Sequence, residues 1–328
     1  MEEEDECSEY QLPKHHRCAC HLLNLISTVD AKKAESNDGY RKISRAAFAK
    51  CSALWNKTAR SSTAAEVVEK ECKLQLIRPV DTRWNFHFLS VERILRIVRE
   101  SGEGAIRAVT MALKVPMFSP AELSFLTEYA STMNPISKAL NILQGEVDVH
   151  MGWLVPTITL LPVKLDRLRT SSKFCQPMIT ALQEGIQRRF GDMLADPELI
   201  AAAILLPKFR TSWTSNEDLL KLGLDYIKRN MEEDPVPSPV SNSGSEEEDF
   251  FGLMKGNVQE TTKQLDAYLA NSATSMNTLK AVPTVANVSL KLNTPLPASA
   301  ACERLFRGRI GSKFLENQLL LKLNKRFC

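Results

Sequence analysis

Aromatic residues are scarce in this chain of 328 residues, at 7%, so each tryptophan has to be weighed singly. An excess of one charge is lacking too. The net charge of +3 is too small to argue for nucleic acid by itself, so any basic surface must be local. No apolar run reaches the roughly 18 residues of a membrane span, and no membrane partner is expected. The N-terminus, Met1-Glu-Glu-Glu-Asp-Glu6, is the opposite of a signal peptide's basic start, which points to an intracellular chain. Cysteines stand at 7, 18, 20, 51, 72, 175, 302 and 328 without a paired CxxC rhythm, so free thiols are expected. Neither GxSxG nor GxxxxGK[ST] occurs, which removes the serine-hydrolase elbow and the phosphate loop. No small-molecule substrate is expected, and there is no internal repeat.

What is present is ordinary globular composition, 44% hydrophobic and 25% charged, in a chain too long for one ordinary core. Two packed units, or one domain with a large insertion, are expected. Residues 1–13 read as a disordered acidic lead ending at Pro13. A helix is expected over 14–33, with Leu22, Leu25, Ile26 and Val29 at helical spacing. Others follow over 41–57 and, after a cap at Ser61-Ser-Thr63, over 64–72. The stretch 74–80 alternates weakly and is the best strand candidate. Beyond it Phe88, Val91, Ile94, Leu95 and Val98 make a helix stripe with arginines opposite.

From 100 to 233 the pattern is helical almost throughout. Ser119-Pro-Ala-Glu122 opens a helix with a cap, a first-position proline and an early acid, and the helix runs to about Leu143 with a kink at Pro135. Further helices are expected over 153–168, 176–194, 197–206 and 216–231. Residues 234–252 are a disordered linker by composition, rich in proline, serine and acid. A short helix over 261–269 follows, then 277–292, which suits helix or strand equally. Asn293 to Pro297 reads as extended because Pro295 and Pro297 cannot sit inside a helix. Ser299 then caps a helix with Glu303 in its first turns and Leu305 and Phe306 on its buried side. The last helix, 314–327, places Leu315, Leu319, Leu320 and Leu323 on one side.

Several constellations invite a chemical reading. His15-His-Arg-Cys-Ala-Cys-His21 packs five potential ligands into seven residues, and Cys18 and His21 are spaced to share a helix face. No second ligand pair follows, so the residues favour a buried thiol and a hydrogen-bonded histidine over a metal site. Trp84, beside Arg83, suits stacking on an unpaired base with Arg83 on the phosphate; it equally suits a core tryptophan at a helix head. Asp81 is either a cap for that helix or one of a carboxylate pair with Glu303. Two-metal chemistry needs several such carboxylates around ions about 3.5–4 Å apart. The tail from Ala301 is locally basic, through Arg304, Arg307, Arg309, Lys313, Lys322, Lys325 and Arg326, which suits either phosphate contact or a solvated face.

Three separated motifs, in order, resemble one family, the hAT-superfamily transposases. Arg17-Cys-Ala-Cys-His-Leu-Leu-Asn-Leu25 resembles the family's CxxH helix, with Cys18 and His21 at the matching positions. Asp81-Thr-Arg-Trp-Asn85 resembles the segment entering the helical insertion domain, with Trp84 at the family tryptophan. Ala298-Ser-Ala-Ala-Cys-Glu-Arg-Leu-Phe306 resembles the C-terminal dimerisation region, with Glu303 at the last acid of the catalytic triad. The resemblance implies a mainly α chain with a small α/β part: an incomplete RNase H-like core split by a large all-α insertion domain. It implies a partial core over 14–80, an insertion domain over 81–233 and a dimerisation region over 253–328 that completes the core.

The family places its first two catalytic aspartates on strands upstream of the CxxH helix, and a BED zinc finger often precedes them. Here only 17 residues precede Cys18, with Asp5 as their one aspartate. Losing one ligand is usually enough to end two-metal catalysis. Only nine residues separate Phe306 from Glu316, fewer than the family places there. The resemblance therefore implies a domesticated, zinc finger BED domain-containing-like protein that is nuclear and catalytically inactive. It would use no cofactor, although the family uses Mg or Mn, and would self-associate through Leu305, Phe306 and the leucines of 314–323, with DNA as a further partner. The alternative is a residual metal-dependent transposase whose missing aspartates come from a longer form.

Overall fold

A computed structural model describes residues 16–79, 84–145, 148–233 and 257–299. Among these residues there are helices and short 3-10 segments and no strand, in keeping with a mainly α chain. The strand expected at 74–80 is not found: 75–79 carries no regular structure. Pro79 has no amide to offer a ladder. Leu74 and Leu76 pack against the helical core instead, and the Gln75 carbonyl accepts from Arg93 Nη1 at 2.8 Å. No α/β part or RNase H-like core is seen in the described residues.

Helix α1 (Ala19–Thr28) is shorter than the expected 14–33. The Ser27 and Thr28 hydroxyls donate back to the Leu23 and Asn24 carbonyls, and the chain then turns into a 3-10 segment, Asp30–Ser36. Its buried face is Ala19, Leu22, Leu23 and Ile26; Val29, expected inside, is 52% exposed. Helix α2 (Asp38–Ala59) is capped by Asn37 and α3 (Ser62–Cys72) by Ser61. Helix α4 (Trp84–Leu113) breaks at Gly102, whose φ of +80° suits glycine.

Helix α5 (Pro120–Leu143) opens on the expected capping box: the Glu122 amide donates to Ser119 Oγ and the Ser119 amide to Glu122 Oε2. The box is buried and completed by Lys50, whose ammonium lies 2.6 Å from Glu122 and 2.9 Å from the Met117 carbonyl. Pro135 stands inside this helix.

Helices α6 (Leu154–Arg169) and α7 (Gln176–Leu194) follow, and Glu128 of α5 marks where α7 begins. Its Oε2 accepts from the Ser172 hydroxyl and from the amides of Lys173, Phe174 and Cys175. Burial pushes the Glu128 pKa up, but these bonds outweigh it and hold the carboxyl below its usual range. Helices α1 to α5 and α7 share one apolar core that runs across the expected domain boundary at 80/81.

Helix α8 (Pro197–Ile204) is the axis of the second half. Asp196 caps it, and every residue from Leu199 to Leu206 is at most 2% exposed. A helix apolar on all sides needs cover on all sides. Helix α6, α9 (Glu217–Glu233), the 3-10 turn Met151–Trp153 and α11 (Pro283–Asn293) supply it. The end of a buried helix also leaves carbonyls without intrahelical partners. Here they accept from side chains far along the chain. Tyr268 OH of α10 (Asn257–Ala270) donates to Ile204 O at 2.9 Å, Ser289 Oγ to Leu205 O at 3.0 Å, and Asn293 Nδ2 to Ala202 O at 3.1 Å.

Asn293 was expected in an extended segment but is the last residue of α11, and Thr294 keeps helical angles. The long-range bonds of Ser289 and Asn293 hold α11 against α8 up to the prolines. Arg210 fastens the same region. The residue is 9% exposed, and its guanidinium donates to the carbonyls of Pro207, Tyr268 and Ala273 and lies 4.9 Å from the Tyr268 ring.

Candidate functional site

The first motif meets the described start of the third, Ala298 and Ser299. Cys18 occupies the position before the first residue of α1, where free helix amides gather. The Ala19 amide donates to the Pro297 carbonyl at 2.9 Å, which brings Ala298 and Ser299 to the same place. There the Ser299 amide and hydroxyl both donate to Cys18 Sγ, at 3.3 and 3.2 Å, across 281 positions of sequence. The helix that Ser299 was expected to cap lies outside the described residues.

These contacts change the chemistry of the sulfur. A hydrogen bond from Cys20 holds the Cys18 pKa down most; burial opposes it, and the Ser299 hydroxyl and the amides of Ser299 and His21 add to the lowering. The result is a pKa of about 4. Cys51 and Cys175 go the other way, because burial disfavours their thiolates; Cys51 is pushed up to about 12. Iodoacetamide at pH 5.5 is therefore expected to label Cys18 ahead of Cys51, Cys72 and Cys175. Ser299→Ala should reduce that preference. Peptide mass mapping reads the outcome, and equal labelling of the four would contradict it.

His21 is exposed on α1 and is not drawn into the Cys18 contact through its ring. Among the described residues no three His, Cys, Asp or Glu side chains converge as a metal site requires. The acid expected to serve as the last member of a catalytic triad, Glu303, lies outside the described residues. So do Asp81, Arg83, Leu305, Phe306, Leu315, Leu319, Leu320 and Leu323. Trp84 is the first residue of α4, and its side chain lies outside the description as well.

One turn beyond Trp84, His87 is a residue that periodicity did not single out. Its ring meets Phe48 at 5.0 Å, Trp55 at 5.5 Å and Tyr129 at 6.0 Å, all edge-on, and its Nδ1 lies 3.3 Å from Tyr129 OH. Burial lowers the His87 pKa by disfavouring the charged ring. This cluster ties the first turns of α4 to α2 and α5.

Comparison with known proteins gives a distant similarity. Zinc finger BED domain-containing protein 4 of Homo sapiens is 20% identical over 240 residues, covering 71% of this chain and 20% of that protein. The chain thus spans about a fifth of the length of the curated relative it matches. No family model matches. Among the described residues no helix is long and apolar enough to cross a membrane.

Proposed function

We propose that this chain is a transposase-derived helical module that works by association rather than by catalysis. The observation that carries this reading is the Cys18–Ser299 contact, which joins the CxxH-like helix to the leading edge of the region resembling a dimerisation domain. The distant similarity to a zinc finger BED domain-containing protein is in keeping with that family, and the reading extends to a nuclear chain with DNA as a further partner. In this reading 257–299 docks on α8 and presents the region beyond it, with Leu305, Phe306, Leu315, Leu319, Leu320 and Leu323, to a second copy. Glu303 then stands, in sequence, at the position of the last acid of that family's triad.

Size-exclusion chromatography with light scattering on the full chain tests the association. A dimer mass at micromolar concentration is expected, and Phe306→Asp with Leu319→Asp should return a monomer. A wild-type monomer at that concentration would remove the association from the account.

A further inference from the structure

Apolar surface is left uncovered where α5 passes α6. A cavity of about 160 Å³ opens there, lined by Pro135, Ala139, Ile142, Trp153, Pro156 and Leu160 among others. Ile142 and Leu160 are 40% and 45% exposed, so the cavity meets solvent along an apolar lip. Two of its lining residues are prolines, which have no amide to offer a polar ligand. Lysines surround it. Lys138 and Lys164 line it and are exposed, and Lys208 holds its ammonium 4.2 Å from the Trp153 ring. Among the described residues none of the three has a carboxylate within ion-pair distance.

Size and lining narrow what can fill it. Small-molecule and cofactor sites run to roughly 300–1,000 Å³, so this cavity suits one or two anchoring side chains instead. A nucleic-acid track needs donors along its length to meet phosphates, whereas this floor is apolar. An apolar socket edged by lysines complements an apolar anchor flanked by carboxylates.

We propose that the α5–α6 groove docks a partner protein through a short acidic peptide segment. One large apolar side chain of that segment fills the cavity, while neighbouring carboxylates pair with Lys138, Lys164 and Lys208. The groove lies within the described helices, so the proposal stands apart from the self-association read from the C-terminal region.

Fluorescence anisotropy tests it with a labelled synthetic peptide, a Phe-Phe pair flanked by glutamates, titrated with the full chain. Saturable binding that weakens with salt is expected. Lys138→Glu with Lys164→Glu should weaken it about tenfold or more. Leu160→Asp, at a half-exposed position on the lip, should abolish it, and both variants should keep the wild-type melting curve. A peptide with lysine in place of each glutamate should not bind. Binding unchanged in both variants overturns the proposal, as does a preference for labelled oligo-dT over the peptide. Binding that appears only after residues 244–255 are deleted overturns it in favour of the chain's own Glu246–Met254 sequence. Leu160→Asp turning a dimer into a monomer overturns it in favour of a second copy.

Discussion

Gly152→Ala is expected to destabilise the fold by about 3 kcal/mol, although the same exchange at an unconstrained site usually stabilises by about 0.4–1 kcal/mol. The reason is contact, not backbone angle. A Cβ at residue 152 would stand 2.3 Å from the Ala202 carbonyl oxygen, 2.7 Å from its carbon and 2.8 Å from Asn293 Oδ1. The first two belong to the backbone of α8, which is enclosed on all sides and has nowhere to retreat. Gly152 also donates its amide to Asn293 Oδ1 at 2.8 Å, so pushing the turn away breaks the bond that links it to α11. Urea denaturation followed by circular dichroism reads the effect. Asn293→Ala removes only the side-chain obstacle, so Gly152→Ala should remain costly in that background. An unchanged midpoint for the single variant would show that the turn yields freely and that the packing around α8 is loose.

Asp30→Ala is expected to cost about 3 kcal/mol, the lower end for breaking a buried ion pair from one side. Asp30 is 2% exposed and closes α1 against α7. Arg189 grips it with Nε at 2.5 Å and Nη2 at 3.1 Å, and Arg188 Nη2 bonds the same carboxylate. Water compensates the loss in part, since the Arg188 and Arg189 side chains are 47% and 21% exposed. A double-mutant cycle with Arg189→Ala isolates the coupling. A coupling near zero would reduce Asp30 to a passive turn residue.

Helices were legible wherever their causes are local. Ser119, Pro120 and Glu122 spell out a helix start within four residues, and the stretch 176–194 emerged with the ends it has in the fold. The turn into Asp30 was not legible, because the attraction that pulls Asp30 inward comes from Arg188 and Arg189, about 160 positions away. Asn293 misled for a similar reason. Two nearby prolines argued for an extended chain, while its bonds to Gly152 and Ala202 extend the helix up to them. At the candidate site, Cys18 stood out by motif, while nothing marked Ser299 as its partner. No pattern in either segment announces a bond between them. His87 escaped because a lone histidine on an apolar face carries no spacing signal.

The contact between Cys18 and Ser299 sets an order of events for the newborn chain. At about 5–20 residues per second, a ribosome needs on the order of tens of seconds to pass from one to the other. During that interval α1 exists with its leading end unmatched, and α8 with its final carbonyls awaiting Tyr268, Ser289 and Asn293. The N-terminal helices can collapse on each other early, but α8 is enclosed only when 257–293 emerges. A chain cut short before α11 would therefore leave the ribosome carrying an open, apolar α8.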